Sequence, residues 1–108
     1  MANLQKQLTI FTPTYNRAYI LPQLYKSLCE QTCKDFVWLV VDDGSTDNTK
    51  DLVNHWTDRG GVNIKYIYEE NNGKMRAHNR AVKETTTPLF LCIDSDDYLT
   101  SPTVVEDL

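Results

Sequence analysis

The stretch LFLCIDSDD, from Leu89 to Asp97, decides the fold because it joins an apolar run to three carboxylates. The apolar part predicts a buried strand. Carboxylates this close together repel one another, and their desolvation is costly unless a cation shares the site. A weaker copy of the pattern occurs earlier, where the apolar run Phe36–Val41 leads directly into Asp42 and Asp43. Two strand ends with acidic groups indicate a ligand site, and a divalent metal that holds a phosphate-bearing ligand would explain it.

Strands and helices alternate along the chain. Apolar runs predict strands at Leu8–Thr12, Phe36–Val41, Ile64–Glu69 and a fourth that begins at Pro88. Helices are predicted around Pro22 as a first-turn residue, after the capping residues Ser45, Thr46 and Asp47 as far as Gly60-Gly61, at Lys74–Glu84, and from Ser101-Pro102 onward. This order predicts an α/β fold with a Rossmann-like, mostly parallel sheet, right-handed crossovers and helices on both faces.

The apolar positions within these segments predict the core. Their spacing gives the buried side of the first helix and several aromatic core residues, namely Leu21, Leu24, Tyr25, Leu28, Trp56, Tyr66 and Tyr68. The run Phe36–Val41 is continuously apolar, so we expect a central strand that is covered on both faces.

Each predicted strand is followed by a cluster of polar residues. The four clusters are Thr12–Arg17, Asp42-Asp43, Asn71–Lys74 and Asp94–Asp97. The carboxyl ends of parallel strands meet at one edge of a sheet, where α/β proteins bind their ligands. The four clusters therefore predict a single ligand crevice.

Composition sets the broad class of protein. The chain has 108 residues, of which 41% are hydrophobic and 24% charged, as expected for one small globular domain or part of a larger one. A net charge of −4 disfavours nucleic acid as a partner, because no basic stripe is present to neutralise phosphates. No apolar run approaches the roughly 20 residues of a membrane span, and the first residues do not resemble a signal peptide.

The three cysteines indicate a reducing compartment. Cys29 and Cys33 are four residues apart on the first predicted helix, and Cys92 lies in the fourth strand. An odd number without paired spacing predicts free thiols, and zinc binding by Cys29 and Cys33 would need two further ligands. We therefore expect a cytoplasmic protein, with the inner face of the membrane as an alternative if the chain is part of a longer protein.

The acidic clusters indicate that a metal ion, and not a loop of backbone amides, would bind the phosphates of the ligand. Only four glycines are present, and neither GxxxxGK[ST] nor GxGxxG occurs. Mg²⁺ and Mn²⁺ suit sites made of carboxylate oxygens and often bind one or two carboxylates together with substrate phosphates. Asp42 or Asp43 would accept hydrogen bonds from a base or ribose, although this pair alone would also suit a turn and helix cap. Diphosphate charge would be met by Arg17, Lys74, Arg76 or Arg80.

Five motifs in this order resemble the N-terminal half of family 2 glycosyltransferases, which have the GT-A fold. The resemblance covers Leu8 to Leu108 and is carried by Phe11–Arg17, Leu28–Thr32, Val40–Asp47, Asn71–Lys74 with Asn79-Arg80-Ala81, and Asp94–Asp97. It implies binding of a nucleotide-sugar donor, usually a UDP-sugar, and transfer with inversion at the anomeric carbon. It places Thr12, Pro13, Tyr15, Arg17, Asp43, Lys74 and Asp94 on the nucleotide, and Asp96, with Asp97 as a further candidate, on Mn²⁺ or Mg²⁺.

The resemblance also bears on the extent of the domain. We interpret residues 1–108 as the nucleotide-sugar-binding half of a GT-A domain, truncated after the DxD motif. In the family the catalytic base follows later, so no residue of this chain is assigned as catalytic, and we expect the chain to be inactive alone. An exposed sheet edge where the fold would continue predicts self-association.

Two other functions remain open at this stage. A haloacid-dehalogenase-type phosphotransferase would use DxDx[TV], and Asp94 and Asp96 match its carboxylates, but Tyr98 does not fit and the motif follows the wrong strand. A non-enzymatic α/β regulatory module of the receiver type would need an aspartate at the end of the third strand, which ends instead in Glu69 and Glu70. A calcium loop starting at Asp94 is disfavoured because Leu99 occupies the position of its glycine.

Overall fold

The computed structural model describes residues 8–70 and 89–105, which form a four-stranded sheet and two helices. The elements are β1 (Leu8–Thr14), α1 (Leu21–Cys29), β2 (Phe36–Asp43), α2 (Thr49–Arg59), β3 (Asn63–Glu69) and β4 (Leu89–Cys92). All four strands are parallel, in the order β3-β2-β1-β4. The predicted α/β fold is confirmed. The helix predicted at Lys74–Glu84 lies outside the described residues.

The strand order places a topological switch point between β1 and β4. From β1 the chain moves outward to β2 and β3, whereas β4 pairs with the opposite side of β1. Thr14 lies opposite Asp42 in the ladder, and on the other side Phe11 lies opposite Cys92. Adjacent strands are roughly 4.8 Å apart, so the ends of β2 and β4 lie roughly 10 Å apart with β1 between them. Ligand crevices of open α/β sheets form at such a point.

Helices α1 and α2 cover the same face of the sheet. This follows from right-handed crossovers that both run in one direction, from β1 to β2 and from β2 to β3. Their buried side chains form one cluster with β1 and β2, which includes Leu21, Leu24, Tyr25, Leu28, Ile10, Trp38, Val40, Val53 and Trp56. A smaller cluster of Phe11, Leu39 and Val41 lies on the other face. The central strand β2 is thus buried on both faces, as its apolar run predicted.

Three aromatic rings connect α1, β2 and α2 in the larger cluster. The ring centroids of Tyr25 and Trp56 are 4.2 Å apart with an interplanar angle of 6°, and Trp38 lies 5.9 Å from Trp56. Such stacked rings contribute more than the area that they bury. The indole N–H of Trp38 donates to the hydroxyl of Thr12 at 2.9 Å, so its polar atom is satisfied within the core.

The helix ends differ in part from the prediction. Helix α1 has Pro22 in its first turn as predicted, but it ends at Cys29, so Cys33 lies beyond it. Helix α2 begins after Asn48, whose side chain makes no capping hydrogen bond. Instead Asp47 accepts from the backbone N–H of Thr49 at 3.0 Å. Gly60 ends α2 with a φ of 76°, a left-handed conformation that glycine adopts without steric cost.

The helix predicted from Ser101-Pro102 is wrong for the described residues, which form turns as far as Val105. The side chain of Gln31 explains the difference. Its Nε2 donates to the carbonyl of Ser101 at 2.7 Å, and its Oε1 accepts from the N–H of Val105 at 3.0 Å. These two backbone groups would bond to each other in an α-helix. Gln31 is itself buried, so a long-range contact replaces the local hydrogen bond.

Candidate functional site

A cavity of about 260 Å³ lies at the carboxyl edge of the sheet, at the switch point between β1 and β4. The cavity is lined by residues at the carboxyl ends of three strands and in the segments that follow. They are Pro13, Thr14, Tyr15 and Arg17 from β1 and the loop after it, Asp43 from β2, and Asp94, Ser95 and Asp96 after β4. Residues separated by up to 83 positions thus share one cavity, as the strand-end clusters predicted. Lys74 lies outside the described residues.

The acidic cluster at the end of β4 has the spacing of a cation site. One carboxylate oxygen each from Asp94, Asp96 and Asp97 lies within 4.8 Å of the others. Asp94 is half-buried, whereas Asp96 and Asp97 are exposed. Asp97 donates its backbone N–H to the carbonyl of Asp94 at 3.0 Å, which closes a tight turn. Three carboxylates at this distance fit a hard cation such as Mg²⁺ or Mn²⁺. Asp94 and Asp96 also line the cavity, and Asp97 is not among its lining residues.

The neighbouring residues Asp42 and Asp43 have different environments. Asp42 is fully buried, and its carboxylate accepts from the backbone N–H of Ser45 at 2.9 Å and from the hydroxyl of Tyr66. Asp43 lines the cavity. Successive strand residues point in opposite directions, which separates the two roles. Asp42 therefore stabilises the turn that follows β2, and of the two predicted hydrogen-bond acceptors only Asp43 lines the cavity.

The sequence did not predict the partnership of Tyr66 with Asp42. Burial, followed by the hydrogen bond to the Asp42 carboxylate, raises the pKa of the Tyr66 hydroxyl above its ordinary value. The hydroxyl therefore remains a proton donor to Asp42 throughout the neutral range. Tyr68, predicted to be a core residue, is 47% exposed because β3 is at the edge of the described sheet.

Thr12 lies beneath the cavity. Its side chain is fully buried and its hydroxyl accepts from Trp38, so it supports the site from the core and is not among the lining residues. Thr14, two residues on, lines the cavity instead, and its Oγ1 is buried without a hydrogen-bond partner within residues 8–70 and 89–105. An unpaired buried hydroxyl is costly, which is consistent with a ligand as its partner. Residues two apart in a strand share a face, so strand alternation does not separate these two threonines, and only the contact of Thr12 with Trp38 does.

Tyr15 and Arg17 extend from the loop after β1 into the cavity lining. Tyr15 is 47% exposed, and Arg17 is exposed with its Nη1 donating to the hydroxyl of Tyr19 at 2.9 Å. Among the described residues that line the cavity, Arg17 is the one cation, and it shares the lining with Asp43, Asp94 and Asp96. An arginine and a carboxylate-bound metal can together compensate the charge of a diphosphate.

The carboxylate of Asp47 gives a testable pH dependence. Burial raises the pKa of Asp47, but hydrogen bonds from Thr49 and Ala18 outweigh this and leave it below its ordinary value of 3.8. The stability that this carboxylate contributes is therefore present above that value and is lost as the pH falls through the lower folded value. We expect Asp47→Asn to lower the urea midpoint at about pH 6 and to have little effect at about pH 2.5. An equal effect at both values would contradict a role for the charge.

The cavity, the acidic cluster and the parallel sheet define an α/β protein with a crevice suited to an anionic ligand and a divalent cation. The sequence matches glycosyl transferase family 2 over residues 9–108, which is most of the chain. The chain belongs to this family. This membership rules against the two alternatives considered from the sequence, a phosphotransferase and a receiver-type module.

Two curated relatives illustrate the range of the family. The chain is 36% identical over 96 residues to the teichoic acid poly(glycerol phosphate) polymerase of Staphylococcus epidermidis. It is 38% identical over 92 residues to a validoxylamine A glucosyltransferase of Streptomyces hygroscopicus subsp. jinggangensis. These matches cover 88% and 82% of the chain but only 13% and 21% of the relatives. The chain thus corresponds to a small part of their length.

Two of the solved structures with the same fold are complexes with a nucleotide or a nucleotide sugar. S. aureus TarS 1-349 in complex with UDP has a TM-score of 0.83 at 31% identity, and the match covers 94% of this chain and 30% of that one. A mannosyltransferase of Pyrobaculum calidifontis in complex with GDP-Man and Mn²⁺ has a TM-score of 0.82 at 27% identity, covering 89% of this chain and 29% of that one. The GT-A architecture is therefore confirmed.

In the part of the chain that the structure describes, no helix is long and apolar enough to cross a membrane.

Proposed function

We propose that this chain binds the nucleotide-sugar donor of an inverting glycosyltransferase, with a UDP-sugar as the donor and Mn²⁺ or Mg²⁺ as the cofactor. In this proposal Pro13, Tyr15, Arg17, Asp43 and Asp94 contact the nucleotide, Asp96 binds the metal, and Asp97 is a further candidate ligand. Thr12 supports the site from beneath, and the predicted contact of Lys74 stays a prediction. Residues 1–108 correspond to the donor-binding half of a GT-A domain.

One observation carries this proposal. The cluster of Asp94, Asp96 and Asp97 borders the cavity that also contains Arg17 and Asp43. A diphosphate would be repelled by the carboxylates unless a cation intervened, whereas a metal bound there would bring its positive charge to the phosphates. An anionic ligand together with a bound cation would account for the arginine and the three carboxylates, of Asp43, Asp94 and Asp96, that line one cavity. The TarS complexes with UDP and UDP-GlcNAc support the choice of donor.

The residues present have separate roles when the metal is bound. A divalent cation at this site supplies charge neutralisation for the leaving diphosphate. Asp96 and Asp97 would hold the cation, and Asp94, which also lines the cavity, would contact the nucleotide. Arg17, in the loop after β1, would orient the diphosphate, and Asp43 would accept hydrogen bonds from the nucleoside. Nucleoside and metal are thus bound from different strands.

Asp43→Ala tests the nucleoside contact. We expect UDP binding to weaken roughly ten- to hundredfold both with Mn²⁺ and with EDTA, since the loss of a charged hydrogen-bond partner costs about 1.5–3 kcal/mol. Isothermal titration calorimetry measures both affinities. The exposed residue Asp58 on α2 provides the control, because Asp58→Ala changes the net charge equally outside the cavity lining. Unchanged UDP binding by Asp43→Ala would reduce this residue to a turn and helix-cap role.

The location and assembly of the protein also stay predictions. The proposed cytoplasmic location rests on the odd number of cysteines without paired spacing. Self-association through the sheet edge is tested by light scattering of the purified chain.

A further inference from the structure

We propose that Asn16 is a positioning residue for donor binding, which fixes the loop that presents Tyr15 and Arg17 to the cavity. This inference rests on the proposed donor site. It concerns a residue that the sequence motifs do not assign to the ligand. Asn16 is not among the residues that line the cavity, and its neighbours on both sides are.

The side chain of Asn16 joins the loop after β1 to the loop after β2. Its Oδ1 accepts the backbone N–H of Thr46 at 2.7 Å and that of Asp47 at 3.2 Å. Its own backbone N–H donates to the hydroxyl of Ser45 at 2.8 Å. In addition, the carboxylate of Asp47 accepts the backbone N–H of Ala18 at 3.2 Å. A fifth bond, from the hydroxyl of Thr46 to the Oδ1 of Asn16, has a length of 3.4 Å. Among the described residues, five hydrogen bonds across 29 to 31 residues of sequence therefore hold the two loops together.

The contact continues into the sheet. The backbone N–H of Ser45, whose hydroxyl binds Asn16, donates to the buried carboxylate of Asp42. Asp42 in turn accepts from Tyr66 on β3. Hydrogen bonds through Ser45 and Asp42 thus connect the loop after β1 to β3. The position of this loop therefore depends on strands of the sheet as well as on its own residues.

The backbone of Asn16 shows why this residue type is suited to the position. Its φ is 52°, which is the left-handed region that asparagine and glycine tolerate best. The chain bends at Tyr15 and Asn16, and both Tyr15 and Arg17 line the cavity. An asparagine supplies the positive φ and the acceptor oxygen together, whereas glycine would supply only the positive φ. This difference allows the two contributions to be separated by mutation.

The test compares Asn16→Gly with Asn48→Gly. Asn48 is an exposed asparagine of the same loop pair, at the start of α2, and makes no side-chain capping bond. Glycine at position 16 keeps the positive φ and removes the acceptor. We expect Asn16→Gly to bind UDP roughly tenfold more weakly in the presence of Mn²⁺, since the hydrogen bonds that Thr46 and Asp47 donate to Oδ1 are lost. Affinity for Mn²⁺ alone, measured from the free-ion signal in electron paramagnetic resonance, should not change, because the proposed metal ligands follow β4.

Amide hydrogen exchange supplies the second measurement. In Asn16→Gly, peptides covering residues 14–18 and 44–49 should exchange faster, while those of the core strands should not. Asn16→Asp, which retains an acceptor oxygen for Thr46 and Asp47, should restore slow exchange. Asn48→Gly should match the unsubstituted protein in UDP affinity and in exchange of residues 14–18.

Three results would overturn the inference. Faster exchange with unchanged UDP affinity would show that Asn16 stabilises the loops without affecting the ligand. Unchanged exchange and affinity would remove the positioning role altogether. Failure of the unsubstituted protein to bind UDP with Mn²⁺ would overturn the proposed function and this inference together, which distinguishes it from the first two results.

Discussion

Asp96→Ala is expected to remove most of the metal dependence of UDP binding. In the unsubstituted protein, UDP should bind better with Mn²⁺ or Mg²⁺ than with EDTA, because the carboxylates repel the diphosphate when no cation is bound. Loss of a charged ligand that both lines the cavity and belongs to the acidic cluster should weaken binding with metal roughly ten- to hundredfold. Without metal, the same substitution should leave UDP affinity equal or slightly higher. Calorimetry with and without EDTA measures the four affinities.

Asp97→Ala and Asp58→Ala are the controls for this experiment. Asp97 belongs to the cluster but is not among the cavity-lining residues, so we expect a smaller effect than for Asp96. Asp58 lies on α2 outside both, and its loss should change binding little. If the unsubstituted protein bound UDP equally well with metal and with EDTA, the metal role of the acidic cluster would be wrong, whatever the variants showed.

Trp38→Ala is expected to have the largest effect on stability. Trp38 is fully buried in the centre of the sheet, stacks with Trp56 at 5.9 Å, and donates to Thr12. Replacement of a buried tryptophan by alanine typically costs about 3–5 kcal/mol, because the cavity is only partly refilled. Domains are stable by about 5–15 kcal/mol, so this variant should be largely unfolded at moderate urea concentration. The free energy of unfolding from urea titration, followed by circular dichroism, provides the measurement.

Two further variants make the result specific. Trp38→Phe keeps an aromatic ring in the stack but loses the indole N–H, leaving the Thr12 hydroxyl without this donor, so an intermediate loss is expected. Tyr98→Ala removes an aromatic ring that is 50% exposed, and its effect should stay within about 0.5 kcal/mol. Equal stability of Trp38→Ala and Tyr98→Ala would mean that the aromatic stack does not support the core.

The proposed donor site illustrates how a parallel sheet assembles a cavity from short local motifs. The acidic cluster lies within the four residues Asp94–Asp97, whereas the groups proposed to contact the nucleoside come from β1 and β2. Because β2 and β4 flank β1, Asp43 and the acidic cluster lie on opposite sides of the loop that contains Arg17. The position of this loop therefore links both parts of the site. Substitutions in it should affect nucleotide affinity more than affinity for the metal alone.

The sequence by itself determined the order of the described elements from β1 to β4 and the edge of the sheet at which the cavity forms. These follow from local patterns: apolar runs make strands, the spacing of Leu21, Leu24 and Leu28 makes the buried side of a helix, and parallel strands bring their polar ends together. The acidic residues after β4 were identifiable for the same reason, because three carboxylates after a core strand require a physical explanation that folding alone does not give.

Only the tertiary structure decided which residues of the clusters after β1, β2 and β4 line the cavity. Thr12 and Thr14 differ by contact with Trp38, and Asp42 differs from Asp43 by contact with Tyr66. Asn16 was indistinguishable from an ordinary turn residue until the loop after β2 was placed beside it. The expected helix at Ser101 was replaced because Gln31, 70 residues away, bonds to its first carbonyl. Such contacts cannot be predicted from the local preferences of a segment, because strand order and register determine which distant side chain comes to lie beside it.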